Sequence, residues 1–415
     1  MKNRSIYILL ILMCLCSMNV NAQTGISLEE AISLALKNNP QMHIADLEIL
    51  GKNEAVKTAY DLPKTNFQYM GGQYNSVNWD NQMMATQNMS FPGVYAQQKK
   101  WLKENILLSE TNKLLTEKEL KLLIRTAYLD IQYFNSKGKI LQKLDTLFLK
   151  FKVASELKYK TGESNLLEKT TADLLWSEHK QLIMSNNLNL LPAYQHLRNI
   201  LVRTKNENFI IRDSLLLKIS SPNFGILNPN FEKHPLLKIS KKQLELSALA
   251  LRIDKSKLYP DFTFGYFNQS LSGWQTSKTR QDKYYGSNYK FQGLMLGAAV
   301  PLFSKSFKSK IKVAQIQTEI AQQNVDLQLS KMQSQFYSAY YDYIKNDSLL
   351  MFYEKTAIPH SELIIQQSQK AYQNGAISYF EYSQALTKSI HTQLAYIDAI
   401  YQHNLSIYKL MYIEE

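Results

Sequence analysis

The sequence predicts a mixed α+β membrane protein in which one structural unit occurs twice along the chain. Three observations support this prediction. The two halves pass through the same series of motifs, four short segments alternate between apolar and polar residues, and the stretches between them favour helices far longer than a globular domain needs. The composition agrees with long helices and an aromatic surface, because 26 Tyr and 17 Phe stand beside only 14 Gly in 415 residues.

The N-terminus has the pattern of a secretory signal peptide over residues 1–22. Lys2 and Arg4 precede an apolar run that is followed by small and polar residues. The run is shorter than the ~20 residues that a membrane-crossing helix needs. We expect export through the Sec pathway and removal of this segment, together with both cysteines, Cys14 and Cys16. A lipoprotein is the less favoured alternative, because large residues precede both cysteines.

The two repeats are predicted at residues 23–203 and 231–415, with a linker over residues 204–230. Each repeat opens with a motif that ends in proline, continues as a helix to a second proline, and then becomes strand-like. The matching motifs are Asn38-Asn39-Pro40 with Lys233-His234-Pro235, Leu62-Pro63 with Tyr259-Pro260, and Tyr159-Lys160-Thr161-Gly162 with Tyr372-Gln373-Asn374-Gly375. So many matches in the same order predict an internal twofold repeat.

Four strand-like segments form two predicted hairpins at about residues 65–91 and 261–301. Phe67 and Tyr69 alternate with polar residues in the first hairpin, and the second shows the same alternation. Each segment is about 9–11 residues long, the length that crosses a bilayer as a tilted strand. In hydrocarbon every backbone polar group must be paired, and known closed barrels begin at about eight strands. Four strands per chain therefore predict a barrel shared by several copies with cyclic symmetry.

Long helices are predicted beside the hairpins. Between Tyr95 and Tyr159 the chain has no proline and a single glycine, so one helix there would be roughly 100 Å long at 1.5 Å per residue. Leucines recur at every seventh residue from Leu108 to Leu129, which indicates helices packed side by side. Pro359 lies in the corresponding helix of the second half, where we expect a kink or break.

No catalytic or nucleic-acid-binding site is predicted. The sequence has no glycine-rich phosphate loop, nucleophile elbow or zinc-protease motif, and its seven histidines lack metal-ligand spacing. The formal net charge of +13 comes from lysines spread along helical stretches rather than from a basic patch. We therefore expect no enzyme activity, no cofactor, no bound metal and no nucleic-acid partner.

From Leu28 to about Leu410 the chain resembles outer-membrane efflux proteins of the TolC type. The segment Leu28–Pro40, the Phe91-Pro92-Gly93 motif and the two Tyr-x-x-Gly turns carry the resemblance. It implies a homotrimer with a 12-stranded β-barrel in the lipid of the outer membrane and a helical barrel extending into the periplasm. It also implies an exit duct of a tripartite efflux system. A periplasmic adaptor (membrane fusion) protein would connect the duct to an inner-membrane pump of the resistance-nodulation-division (RND) class.

The same resemblance assigns two groups of candidate site residues. The periplasmic tip, where an adaptor would dock, would hold Thr161, Gly162, Asn374 and Gly375. A pore constriction would hold Glu381, Glu168 and Tyr372, and converging carboxylates there would favour cations. The alternatives are a helix-end role for each glutamate and plain packing for the tyrosine. The chain departs from the family at the second ring acid, which is Gln384, and at the gate arginine, which is Ile377.

The preferred cargo is heavy-metal cations rather than drugs or secreted proteins, because the chain resembles short family members that serve heavy-metal pumps. Met83, Met84 and Met89 are soft-metal ligand types, but on a strand we expect them to face lipid. The alternative function is a periplasmic coiled-coil scaffold or adaptor that does not span the membrane. Four alternating segments of spanning length argue against that alternative.

Overall fold

A computed structural model describes residues 25–75, 77–202, 209–220, 229–276 and 280–414. The predicted signal peptide, with Cys14 and Cys16, lies outside these residues, as does most of the predicted linker. The described helices are α1 (Leu28–Asn38), α2 (Pro40–Ala55), α3 (Pro92–Lys160), α4 (Leu166–Ile200), α5 (Pro235–Ser256), α6 (Lys305–Phe352), α7 (Ile358–Gln373) and α8 (Tyr379–Glu414). Among them, none combines the length and the apolar composition that membrane crossing requires.

The strands are short and occur in three groups. They are β1 (Gly25–Ile26), β2 (Asn66–Gly72), β3 (Asp80–Met89), β4 (Ile210–Ile211), β5 (Asp261–Gln269), β6 (Gly273–Thr276), β7 (Asp282–Tyr285) and β8 (Phe291–Ala299). β1 pairs with β4 in parallel, and β6 pairs with β7 as a small hairpin. The remaining four strands form one antiparallel sheet in the order β2-β3-β5-β8.

Local sequence explains where the helices begin and how far they run. At the start of α1, Ser27 Oγ accepts a hydrogen bond from Glu30 N (3.2 Å) and the Glu30 carboxylate accepts one from Ser27 N (2.8 Å). Helix α3 begins at Pro92. The first N–H groups of a helix have no acceptor within the helix, so a proline there costs no hydrogen bond. Helix α3 then continues for 69 residues, which confirms the predicted long helix.

The predicted interruption at Pro359 takes the form of a π-helical turn. Residues Tyr353–Ala357 form this turn directly between α6 and α7, and Pro359 lies in the first turn of α7. Proline lacks the N–H that an α-helix uses and crowds the preceding turn. The helix therefore widens to a π turn before Pro359 and then continues.

The chain divides into two compact units. The helical unit comprises Met1–Met42, Glu117–Pro229 and Gln335–Glu415, and the sheet-bearing unit comprises His43–Thr116 and Asn230–Ser334. In the helical unit, buried side chains of α3 pack against α1 and the end of α4; they are Leu120, Ile124, Ala127, Tyr128 and Ile131. The Tyr128 hydroxyl also donates a hydrogen bond to the backbone oxygen of Ile26 (3.0 Å), which fixes β1 beside α3.

In the sheet-bearing unit, the two predicted hairpins are joined edge to edge. β2 pairs with β3, β5 pairs with β8, and β3 pairs with β5 along eight residues of register. At one end of this junction the buried Asp80 Oδ1 accepts hydrogen bonds from Ser270 Oγ (2.9 Å) and Ser272 N (2.8 Å). Within the described chain, β2 and β8 are the outer strands of the sheet, and each has one neighbour only.

The register gives the sheet one apolar face. Its large side chains are exposed by between 43% (Tyr266) and 82% (Leu294), and they are Phe67, Tyr69, Met83, Phe264, Tyr266, Leu294 and Leu296. We call the opposite face the inner face. Between Asp80 at one end and Asp261 at the other, the inner face carries amides, hydroxyls, glycines, thioethers and two phenylalanines, and no charged side chain.

Met84 does not lie where the sequence predicted. Met83 and Met89 belong to the apolar face, but Met84 pairs with Gln68 and Phe267 on the inner face. Successive residues of a strand point to opposite faces, so Met83 and Met84 cannot share one. The expectation that all three methionines face lipid is therefore wrong for Met84.

Candidate functional site

Two tight turns connect the helix pairs of the helical unit. Gly162 lies between α3 and α4 with φ +76°, and Gly375 lies between α7 and α8 with φ +70°. Only glycine adopts such a left-handed backbone without strain. The backbone N–H of the residue after each glycine donates to the carbonyl oxygen of Lys158 (2.8 Å) or Ala371 (2.8 Å). The two Tyr-x-x-Gly motifs therefore fold into the same type of turn.

The four predicted tip residues lie on these turns, two on each turn. Thr161 and Asn374 immediately precede the two glycines, and all four residues are exposed. Exposure is what an adaptor-binding tip requires. Binding of a partner there remains a prediction.

Glu168 and Tyr372, two of the predicted constriction residues, are in contact. The Tyr372 hydroxyl donates a hydrogen bond to Glu168 Oε1 (3.1 Å) and so links α7 to α4. Asn165 Oδ1 accepts a hydrogen bond from Glu168 N (2.9 Å) and caps α4, which holds the glutamate in the first turn. Burial, followed by the neighbouring Glu168 carboxylate, raises the pKa of Tyr372, so the phenol stays protonated and remains a donor.

Aromatic neighbours fix the ring of Tyr372. It stacks on Tyr382 with the ring centres 4.8 Å apart and the planes 4° from parallel. Phe151 packs edge-on against both tyrosines. Stacked and edge-on aromatic pairs contribute beyond the area they bury, so the hydroxyl of Tyr372 is held in one place.

A cation also contacts this cluster, at a position that the sequence did not predict. Lys158 Nζ lies 4.3 Å from the centre of the Tyr372 ring, within range of a cation–π interaction. Ile377, at the position where the resemblance implies a gate arginine, packs against the buried cluster that contains Phe151 and Tyr372. Helix α3 therefore supplies the positive charge. No sequence signal marked Lys158, because it is one of many lysines on helical stretches and its contact joins distant parts of the chain.

Glu381, the third predicted constriction residue, caps α8. Its carboxylate accepts hydrogen bonds from Ser378 N (2.7 Å) and Ser378 Oγ (2.8 Å), and Ser378 Oγ accepts one from Glu381 N (3.2 Å). The bond from the Ser378 backbone lowers the pKa of Glu381, with the hydroxyl as second cause, so the carboxylate is ionised at neutral pH. The described contacts account for a helix-end role, and a ring of three such carboxylates remains a prediction.

A groove of about 820 Å³ runs along α4 and α8 next to these turns. Leu167 and Phe380 line it and are 74% and 64% exposed. Gln384, at the position where the resemblance implies a second ring acid, also lines the groove. In the part of the chain that the structure describes, no group of three or more His, Cys, Asp or Glu side chains is arranged to hold a metal ion.

Two substitutions at Glu381 separate its two candidate roles. Glu381→Gln removes the charge but keeps a side chain that can complete the capping box, whereas Glu381→Ala removes both. If the carboxylates form a ring, both variants should lower cation selectivity, measured as the reversal potential across a salt gradient in planar bilayers. A change in Glu381→Ala alone would assign the residue to helix capping.

His179 should make the helical unit sensitive to acid. Its Nε2 donates to the backbone oxygen of Leu141 (2.8 Å), and its Nδ1 is buried without a hydrogen-bond partner among the described residues. Burial lowers the pKa of His179 below the ~6.5 of an unfolded chain. The unfolded chain then binds the proton more readily, so this stability is complete above about pH 6.5 and is lost as pH falls through the folded-state pKa.

His179→Gln is therefore expected to reduce the loss of thermal stability between about pH 7.5 and about pH 5. The measurement is the unfolding temperature by circular dichroism, with the exposed His196→Gln as matched control. Equal losses in the wild type and both variants would contradict the assignment.

Comparison with known proteins finds one family model and several solved structures that are similar to this chain. Residues 231–411 match the family model described as outer membrane efflux protein. Comparison with curated protein sequences finds no significant match. Among solved structures, CusC is 15% identical with a TM-score of 0.75, covering 93% of this chain and 91% of CusC. VceC from Vibrio cholerae is 13% identical with a TM-score of 0.76, covering 93% of this chain and 95% of VceC.

A third similar structure is the CmeC outer membrane channel of Campylobacter jejuni, which is 14% identical with a TM-score of 0.73 and covers 93% of this chain and 85% of its own. At such identities the comparison shows a shared fold, whereas the similarity in sequence comes from the match to the family model. The chain is therefore similar to outer membrane efflux proteins in sequence over residues 231–411, and it shares the fold of these channels over nearly its whole length.

Proposed function

We propose that the chain is one of three subunits of an exit duct in a tripartite efflux system. The duct is passive: an inner-membrane RND pump delivers the substrate through a periplasmic adaptor. The observation that carries the proposal is the four-stranded sheet. It combines an exposed apolar face, an inner face without charged side chains between Asp80 and Asp261, and, within the described residues, two outer strands that have one neighbour each.

The strand lengths suit a membrane-spanning barrel. β3, β5 and β8 have 10, 9 and 9 residues, and β2 has 7. A tilted strand of about 9–11 residues crosses the hydrocarbon layer. In that layer the outer edges of β2 and β8 need hydrogen-bonding partners, and further copies of the chain supply them. Three copies give the 12 strands of a closed barrel.

Exposed apolar rows on two helices of the sheet-bearing unit support the same assembly. On α6, residues at a three-four-seven spacing are 43–58% exposed: Val313, Ile316, Ile320 and Leu327. On α2, residues at a three-residue spacing are 55–65% exposed: Ile44, Leu47 and Leu50. Apolar rows of this kind mark surfaces that other helices cover. We propose that neighbouring subunits cover them and extend the ring as a helical barrel.

Within this duct, we assign the exposed turns at Gly162 and Gly375 to the adaptor-binding tip. The hydrogen bond between Tyr372 and Glu168 would hold the tip closed by tying α7 to α4. Heavy-metal cations are the preferred cargo, since the ionised Glu381 carboxylates would favour positive ions. The measurement for cargo is metal accumulation in cells with and without the protein, and equal accumulation would contradict this preference.

Localisation and assembly distinguish the duct from a periplasmic scaffold that does not span the membrane. The duct should fractionate with the outer membrane and migrate, after detergent extraction, as a trimer that dissociates on heating. A monomer in the soluble periplasmic fraction would contradict the duct and favour the scaffold.

A further inference from the structure

We propose that glycines on the inner face of β5 and β8 set the free width of the barrel, because they let neighbouring side chains lie flat against its wall. The inference rests on the proposed function, since the inner face lines a passage only in a closed barrel. It assigns a role in size selection to three residues: Gly265, Gly293 and Gly297.

Each of these glycines stands directly opposite a larger residue in the β5–β8 register. Gly293 pairs with Phe267, Gly265 pairs with Met295, and Gly297 pairs with Thr263. All three pairs belong to the inner face. On the apolar face of the same two strands the central positions hold Phe264, Tyr266, Leu294 and Leu296, which project outwards.

The covering side chains occupy the space that a glycine leaves free. A Cβ added at Gly293 would lie 2.5 Å from Phe267 Cζ and 2.6 Å from its Cε1. One added at Gly265 would lie 2.9 Å from Met295 Cε, and one at Gly297 would lie 3.3 Å from Thr263 Cβ. The ring of Phe267 therefore lies across Gly293, and the methyl group of Met295 lies across Gly265.

Strand geometry explains why these glycines would widen the passage. Side chains normally stand roughly perpendicular to a sheet, so a phenylalanine on the inner face would project into the passage. Opposite a glycine it can fold across the neighbouring strand, as aromatic side chains do when they cover glycines in β-proteins. Glycine weakens a strand, so the presence of three glycines on one face of two strands needs an explanation. Close approach by neighbouring groups is one known reason for a glycine in a strand.

The three pairs lie at successive levels along the strands, with Phe267 and Gly293 towards one end and Thr263 and Gly297 towards the other. In a trimer each pair occurs three times around the wall. Between the levels of Asp80 and Asp261, the barrel would then have a smooth lining without charged side chains. Such a lining keeps the passage wide and leaves selection by charge to other parts of the duct.

The test is access of neutral polymers to the barrel in planar bilayers. Polyethylene glycols of graded mass are added on the barrel side only, and the largest polymer that lowers the conductance gives the size limit. Gly293→Ala should shift this limit to a smaller polymer, because its methyl group lifts three Phe267 rings off the wall. Gly293→Ala combined with Phe267→Ala should restore the limit. Gly286→Ala, where nothing lies within 4 Å of an added Cβ, should leave it unchanged.

An unchanged limit in conducting Gly293→Ala channels would overturn the inference and leave the proposed function intact. A wild-type protein that forms no channel would instead contradict the proposed function. If Gly293→Ala does not assemble, Gly265→Ala provides the test, because the atom nearest to an added Cβ there, Met295 Cε, is the end of a flexible side chain. The limit should then decrease in Gly265→Ala and recover when Met295→Ala is added. A Gly265→Ala limit equal to that of the wild type would count against the inference.

Discussion

Leu294→Arg is expected to abolish assembly in the outer membrane. Leu294 lies at the middle of β8 on the apolar face and is 82% exposed, which places it against lipid in the proposed barrel. An arginine on the lipid face near the bilayer midplane costs about 2–4 kcal/mol, or about 6–12 kcal/mol for three copies. That is comparable with the whole stability of a folded protein, about 5–15 kcal/mol. The measurement is the amount of heat-dissociable trimer in the outer-membrane fraction.

The adjacent residue provides the matched control. Met295 belongs to the same strand at nearly the same depth, but it lies on the inner face. Met295→Arg should therefore assemble, since a charge there would be in water. If both variants assembled equally well, or if only Met295→Arg failed, the assignment of the two faces would be wrong.

Tyr372→Phe is expected to open the proposed periplasmic tip. The substitution keeps the ring that stacks on Tyr382 and removes the hydroxyl that donates to Glu168. For a partly exposed hydrogen bond to a carboxylate we expect about 1 kcal/mol per copy, hence about 3 kcal/mol if three subunits open together. This shifts the equilibrium between closed and open channels by roughly a hundredfold. Single-channel recording in planar bilayers measures it as open probability.

Tyr382→Phe is the control for this lock, because it leaves both the ring stack and the Tyr372–Glu168 hydrogen bond in place. Lys158→Met should act in the same direction as Tyr372→Phe but more weakly, since it removes only the cation over the ring. An open probability in Tyr372→Phe equal to that of Tyr382→Phe would refute the lock and leave Tyr372 as a packing residue.

The features that the sequence predicted depend on local patterns. A run without proline gave α3 its full length, and alternating residues around Phe67 and Phe264 located the strands of the sheet within a few residues. The turn glycines Gly162 and Gly375 and the interruption at Pro359 follow from backbone chemistry that one residue determines.

The features that the sequence missed depend on contacts between distant segments. Tyr372 and Glu168 are 204 residues apart, and their hydrogen bond exists only because α7 packs beside α4. The contact of Lys158 with Tyr372 has the same origin. The parallel pairing of β1 with β4 and the small β6–β7 hairpin involve strands of two to four residues, which are too short to show a period.

Single-channel recording of the purified trimer in planar bilayers tests the central proposal most directly. We expect discrete, ATP-independent conductance steps from heat-dissociable trimers, with the heat-dissociated monomer inactive. Well-folded trimers that insert but give no conductance, or monomers that conduct as well as trimers, would contradict a duct whose barrel is shared by three copies.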